Sequence, residues 1–236
     1  MSKDSDVAQA KFVPAPWLLT GACYSCLVKL PQSFGRQEMF LADGMADRRG
    51  GFAMVMFVRY DSSSAGPYDE LLFLPMHSFP FGAVKGRTIS KIYVSSRVSV
   101  DSGRKNWGIP KELADFEIEE NSTRLAVTVI KPEGADVIGR LEFIKARRHM
   151  PCSLNFVPKR LRTLYQSLDG KIFSYTPQAT GRLGWAGIHD CWFDEELFPP
   201  IKASYVKSVL SYQDFQMRFP ESHQVQGSSA VAQLAN

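Results

Sequence analysis

The sequence predicts a β-rich α+β fold: one large, mainly antiparallel, curved sheet around a central cavity, with few helices. Three observations carry this expectation. Short runs rich in β-branched and aromatic residues recur along the chain, and turn chemistry punctuates them. The runs do not alternate with helical segments, which argues against a parallel α/β fold. A chain of 236 residues, 44% hydrophobic and 12% aromatic, also holds enough apolar material for one sizeable core and a lined pocket.

Taken in order, Met1 to Ala10 is polar and carries acids, with neither the basic start nor the apolar centre of a secretory signal. Trp17 to Cys26 is an apolar, strand-like run. Gln37 to Ala46 reads as helical. Phe52 to Tyr60, Glu70 to Met76 and Lys91 to Val98 read as strands, and Ser99 to Trp107 as a helix. Further strands are expected over Arg124 to Lys131, Val137 to Ile144, Lys171 to Tyr175 and Leu183 to Phe193. A short helix is expected from Pro158 to Ser167, opened by its proline. Asp61-Ser62-Ser63-Ser64-Ala65-Gly66-Pro67, Pro132-Glu133-Gly134, Asp169-Gly170 and Thr180-Gly181 supply turns. Residues 1–220 form one domain in this scheme. Glu221 to Asn236, rich in Ser, Gln and Ala, is expected to be a mobile tail.

Charge and cysteine usage remove several function classes. The net charge of +4 comes from 28 basic and 24 acidic residues, and the basic clusters are short: Arg48-Arg49, Arg147-Arg148 and Lys159-Arg160-Leu161-Arg162. No nucleic-acid motif accompanies them, so no nucleic-acid partner is expected. No window approaches the roughly 18 apolar residues of a membrane span. Cys23 and Cys26 form a Cys-x-x-Cys, but Cys152 and Cys191 are lone residues, so a zinc ribbon lacks its second pair. The four histidines show no ligand spacing, and His189-Asp190 reads as a structural pair. Neither metal nor organic cofactor is expected. Unpaired cysteines without a signal segment point to a cytoplasmic setting.

The segment Gly103-Arg104-Lys105-Asn106-Trp107-Gly108-Ile109-Pro110-Lys111-Glu112-Leu113 carries the chemistry. Lys111 follows a proline that fixes φ and removes a backbone donor. A lysine held among apolar neighbours loses charge by desolvation, and a neutral amine attacks a ketone to form an imine.

This Gly-Arg-x-x-x-Gly-x-Pro-Lys-x-Leu pattern resembles the acetoacetate decarboxylase superfamily, whose lysine after the proline forms a Schiff base with substrate. Gly66-Pro67-Tyr68-Asp69-Glu70 resembles the family's Gly-x-Tyr-x-Glu strand start, whose glutamate reaches the same pocket. Phe198-Pro199-Pro200-Ile201-Lys202 is similar to the family's late Leu-Pro-Val-Lys stretch. The resemblance implies a cone-like barrel, Lys111 as the imine-forming nucleophile, Glu70 as acid/base, and self-association into a homo-oligomer.

The departures bear on the reaction. The family's second lysine is replaced by Glu112, which is expected to face away, since neighbours on a strand point to opposite faces. Trp17 to Cys26 contains none of the family's carboxylate-binding arginine, and Gly51 to Phe57 carries no acid. Trp107, Arg104, Tyr24, Phe52 and Met54, with Trp17 and Met56 beside them, are the expected substrate-binding residues. They suit a bulky apolar carbonyl compound better than acetoacetate. Decarboxylation, aldol, dehydration and cyclisation chemistry all run through an iminium at Lys111. The alternative is a non-covalent cyclase, isomerase or small-molecule binding protein using the same pocket.

Overall fold

A computed structural model of the chain describes residues 11–132, 134 and 136–225. Its strands are β1 (Trp17–Leu30), β2 (Gly51–Ser63), β3 (Tyr68–Pro75), β4 (Phe79–Phe81), β5 (Val84–Gly86) and β6 (Lys91–Val94). Helix α1 (Arg97–Trp107) then leads into β7 (Lys111–Leu113), β8 (Asp115–Glu120), β9 (Arg124–Ile130), β10 (Val137–Ile144) and β11 (Met150–Ser153). After helix α2 (Lys159–Arg162) come β12 (Leu164–Leu168), β13 (Lys171–Tyr175), β14 (Gln178–Phe193), β15 (Val206–Phe219) and β16 (His223–Val225).

The main sheet has 11 strands in the order β7-β6-β3-β2-β1-β15-β14-β10-β9-β8, with β11 paired to β14. Every pairing in it is antiparallel except β6 with β7. Its two end strands, β7 and β8, are consecutive in the chain and separated only by Ala114, so the sheet curls until its ends meet there. Two smaller sheets, β12-β13-β16 and β4-β5, stand beside it.

Period-two alternation through β1, β2 and β3 buries both faces of the sheet, which explains their nearly unbroken apolar sequences. One face sends Tyr24, Cys26, Val55, Phe57, Leu71 and Phe73 into a core shared with β9 and β10. The other sends Trp17, Leu19, Cys23, Val58, Tyr60, Tyr68 and Leu72 into a second core with Trp107 and Ile109. The cavity opens within this second layer.

Val137–Ile144 and Lys171–Tyr175 form where the sequence places them. Gln37 to Ala46 is a succession of turns instead of a helix, with Phe40 (φ 52°) and Gly44 (φ 83°) in the left-handed region; Met39 and Leu41 are still buried. The strand expected to run to Val98 stops at Val94, because the Ser96 hydroxyl accepts from the Ser99 amide and caps α1. Past Arg162 the expected helix gives way to β12, drawn into a hairpin with β13 by Asp169-Gly170, both at positive φ. The expected tail is also revised, since His223–Val225 pairs with β13; residues 226–236 lie outside the described residues.

Candidate active site

Lys111 is placed by a helix-stop-strand device. Gly108 ends α1 at φ 65°, its amide donating to the Arg104 carbonyl at 2.9 Å. Such a left-handed cap suits glycine. A side chain there would also strike Phe173, whose ring lies 2.5 Å from where a Cβ would stand. Ile109 and Pro110 turn the chain, and the Lys111 amide donates to the Ile109 carbonyl at 2.8 Å before β7 joins β6. The lysine stem then runs across Gly103, where an added Cβ would sit 2.9 Å from Cδ and 3.1 Å from Cε. The two glycines of the motif therefore do separate work: one stops the helix and the other makes room for the stem.

Glu70 arrives from β3 at the same face. Its Oε2 lies 2.9 Å from Lys111 Nζ, and both side chains are about 5% exposed. The amine also donates to Ser99 Oγ at 2.9 Å and to Tyr68 OH at 3.3 Å. The Tyr60 hydroxyl donates to Glu70 Oε1 at 3.1 Å, so the carboxylate is held from both sides. Nζ further stands over the Tyr68 ring, 5.0 Å from its centroid, and 6.0 Å from that of Trp17. Burial pulls the amine's pKa down, but the Glu70 charge and then the Tyr68 hydroxyl pull it up, and the net direction is up. The net direction favours the ammonium, against the neutral amine expected from desolvation alone. Burial pushes the Tyr60 phenol well above its ordinary value, with the Glu70 charge adding to it. Burial and then the Glu70 charge likewise push the Cys23 thiol up, leaving it an inert wall group.

All of these groups but Ser99 line a cavity of about 590 Å³ whose walls are mostly Leu, Ile, Met, Val and aromatic side chains. Trp107 and Met54 line it as expected, with Trp17 and Met56. Trp107 packs edge-on against Trp17 at 5.1 Å and anchors its indole N–H on the Pro220 carbonyl at 2.6 Å. Three expected binding residues lie elsewhere. Tyr24 has the opposite parity to Trp17, Leu19 and Cys23 on β1, so it faces the other core and stacks on Phe143 at 4.6 Å. Phe52 keeps the cavity-side parity of Met54 and Met56 but sits at the strand end, 46% exposed. Arg104 is on the outer side of α1, where its Nε donates to the Lys111 carbonyl at 2.9 Å and braces β7. Glu112 faces away, as the alternation predicts, and pairs with Lys91 at 2.6 Å.

Tyr60, Tyr68 and Ser99 were not singled out from the sequence. Tyr68 shares the parity of Glu70 in the quoted motif, and Ser99 precedes Gly103 by one helical turn, so spacing alone carries both. Tyr60 becomes visible only through its pairing opposite Tyr68 across β2 and β3. Among the described residues no group of three or more His, Cys, Asp or Glu is arranged to hold a metal ion. All four cysteines are free, and among the described residues no helix is long and apolar enough to cross a membrane.

A buried lysine-carboxylate pair at the wall of an apolar cavity, on a curved sheet whose ends meet, defines a class of fold that known proteins share. A family model for acetoacetate decarboxylase matches residues 41–140, a span that holds both Glu70 and Lys111. The acetoacetate decarboxylase of Legionella pneumophila superposes with a TM-score of 0.64 at 13% identity, covering 96% of this chain and 98% of that one. An acetoacetate decarboxylase-like enzyme from Sphingomonas wittichii RW1 gives 0.62 at 12% identity over 92% and 95%. The enduracididine biosynthesis enzyme MppR complexed with pyruvate gives 0.59 at 13% over 94% and 95%. No curated protein matches the chain in sequence. The chain thus carries a match to the acetoacetate decarboxylase family model over residues 41–140 and shares its fold with acetoacetate decarboxylase-like enzymes.

Proposed function

We propose that the protein is a lyase-type enzyme that forms an imine between Lys111 and a bulky, largely apolar carbonyl compound, with Glu70 as acid/base. The contact of 2.9 Å between Nζ and Oε2, inside an apolar cavity, supports this most directly. In the first step Glu70 accepts the ammonium proton, freeing the amine to attack the carbonyl carbon, and a proton passes from the attacking nitrogen to the carbonyl oxygen to give a neutral carbinolamine. The Glu70 proton then passes to the carbinolamine hydroxyl, water departs, and a positively charged iminium remains beside the restored carboxylate. That carboxylate is placed to remove a proton from the adjacent carbon, and the electron pair moves into the iminium to give an enamine. The enamine serves addition, dehydration or cyclisation, and the same iminium accepts electrons from a departing carboxylate. Tyr68, which holds the amine and lines the cavity, also stands as a donor to the developing hydroxyl.

MppR has been solved with pyruvate and with the condensation product of pyruvate and imidazole 4-carboxaldehyde, so a fold of this kind accommodates condensation chemistry as well as decarboxylation. Four free cysteines fit a cytoplasmic setting, and the exposed Trp185, Trp192 and Met150 support a homo-oligomer. Borohydride reduction in the presence of a simple ketone or aldehyde tests the proposal. A mass increase on Lys111, absent in Lys111→Met, is expected, and failure to label Lys111 with any carbonyl compound sinks it.

One observation favours a second reading. The Glu70 charge raises the Lys111 pKa, and an ammonium held by three oxygens is a hydrogen-bond donor that polarises a carbonyl without covalent attachment. A non-covalent cyclase or isomerase would leave Lys111 unlabelled by borohydride while Lys111→Met still lost activity.

A further inference from the structure

The cavity has a second polar end, and we propose that it binds a carboxylate borne at the far end of an elongated carbonyl substrate. This rests on the imine chemistry at Lys111 and names the class of molecule that chemistry serves. Arg87 and Arg162 both line the cavity. Neither forms an ion pair among the described residues. Arg87 Nε donates to the Met76 carbonyl at 3.5 Å, and its Nη1 to the Leu161 carbonyl. Arg162 Nε donates to the Val157 carbonyl at 3.2 Å, and its Nη1 to the Pro177 carbonyl at 2.8 Å. Backbone carbonyls thus fix both guanidinium planes without neutralising them, and each Nη2 has no protein partner among the described residues.

The two arginines share one rim. Arg87 forms a backbone bridge with Leu164, and the Tyr165 amide donates to the Arg87 carbonyl at 2.8 Å, so α2 and the segment before β6 are tied together there. A pair of half-buried cations in an apolar wall, with no acid paired to either among the described residues, is better satisfied when an anion arrives. A planar guanidinium offers a carboxylate parallel donors in a way a lysine does not.

Strand β3 measures how far this rim is from the chemistry. Glu70, Leu72 and Leu74 face the cavity in succession, and Met76, whose carbonyl receives Arg87, follows them. Six residues at a rise of ~3.3 Å place Met76 about 20 Å from Glu70. Leu72, Leu74, Met54, Met56 and Ile89 fill the interval, and none of them hydrogen-bonds through its side chain. A ligand that touches both ends has its carbonyl at Lys111, an apolar body along this wall, and its acid at the arginines. A short keto acid cannot span it.

The test uses a methyl ketone with a carboxylate at the end of a long apolar chain, its methyl ester, and acetone. Each is trapped on Lys111 by borohydride in the wild type and in an Arg87→Met/Arg162→Met double variant. The expected result is a half-saturating concentration for the keto acid raised roughly 10- to 150-fold in the variant, with ester and acetone little changed. The acid-to-ester ratio is read within one protein, so partial unfolding of the variant does not imitate it. An unaltered ratio overturns the proposal. If no carbonyl compound labels wild-type Lys111, the imine reading has failed, and calorimetry with a long-chain saturated carboxylate judges the arginine site alone. Binding lost in the double variant supports it, whereas binding equal in both proteins overturns it.

Discussion

Replacing Glu70 with Gln separates the two duties assigned to its carboxylate. At 2.9 Å and an effective dielectric of about 20, unit charges attract by roughly 6 kcal/mol. This attraction holds Lys111 protonated against a desolvation that works the other way. Glutamine keeps the size and the contact with Tyr60 but removes the charge, so desolvation then sets the direction and the Lys111 pKa falls. An ammonium left buried without its partner costs ~3–5 kcal/mol, and shedding the proton relieves that cost. Two opposite outcomes should therefore appear in one variant. Turnover falls by about 100-fold or more, at least ~2.7 kcal/mol of barrier, because the proton acceptor is gone. Borohydride trapping of a simple ketone, followed by intact mass across a pH series, begins at lower pH than in the wild type, because more of the amine is neutral. A trapping midpoint in Glu70→Gln equal to or above that of the wild type would refute the ion-pair account of Lys111.

Gly103→Ala places a methyl about 3 Å from Lys111 Cδ, so the stem must shift; trapping efficiency should drop severalfold while circular dichroism stays native, and unchanged trapping would show that the stem has slack. Raised folded-state values for Lys111 and Tyr60 make their stabilisation fully present below 10.5 and 10.0 respectively, and lost as pH climbs through the higher folded values. Urea midpoints should accordingly hold up to about pH 10 and then decline, and a Lys111→Met/Glu70→Leu protein should decline less. A steeper decline in that double variant would contradict the assignment. Because replacing a buried ion pair with apolar groups is often neutral or stabilising by about 1–4 kcal/mol, the same protein should melt no lower than the wild type at pH 7. Acetoacetate should be a poor substrate: a charge-assisted contact worth ~1.5–3 kcal/mol is missing near Lys111, equivalent to roughly 10- to 150-fold. Carbon dioxide release as efficient as that from a bulky keto acid would reveal a cation close to Lys111 that the geometry does not show.

The residues proposed to make the chemistry were legible in the sequence because their constraints are local. Gly103, Gly108, Pro110 and Lys111 lie within one helical turn and its stop, and each is explained by a contact or backbone angle within that span. Glu70 was legible because β3 starts immediately after a Gly-Pro turn, which fixes its parity. The substrate wall was only partly legible. Whether Tyr24 or Cys23 faces the cavity is a matter of one residue of parity, and a one-residue difference sends the side chain to the opposite core. Phe52 has the right parity, yet how far a cavity extends along a strand is set by partners remote in sequence. Arg162 sits in a short basic cluster and Arg87 in no motif singled out from the sequence, and only the bridge from Arg87 to Leu164 brings them to one rim. Arg104, seven residues before the lysine in the motif and one after Gly103, is turned outward by a single helical step.

Fold and chemistry constrain each other through β3. Tyr68, Glu70, Leu72 and Leu74 alternate onto the cavity face, so the strand that delivers the carboxylate also forms the first wall against which a substrate lies. Moving the carboxylate by one position would place it in the opposite core beside Leu71 and Phe73, where no amine answers it. The same strand keeps Glu70 away from the arginines by its own length. That separation matters electrostatically, because a guanidinium near Lys111 would compete for Glu70 and lower the ammonium's hold on its proton. A small keto acid needs its carboxylate bound close to the reacting carbon, so a decarboxylase must accept that competition. In the proposed scheme the anion-binding groups lie at the far rim, the carboxylate at the amine is left to act as a base, and the apolar wall between them selects for length. At roughly 25 cal/mol per Å², each 100 Å² of ligand surface buried there contributes about 2.5 kcal/mol, comparable to the charged contact given up beside the lysine.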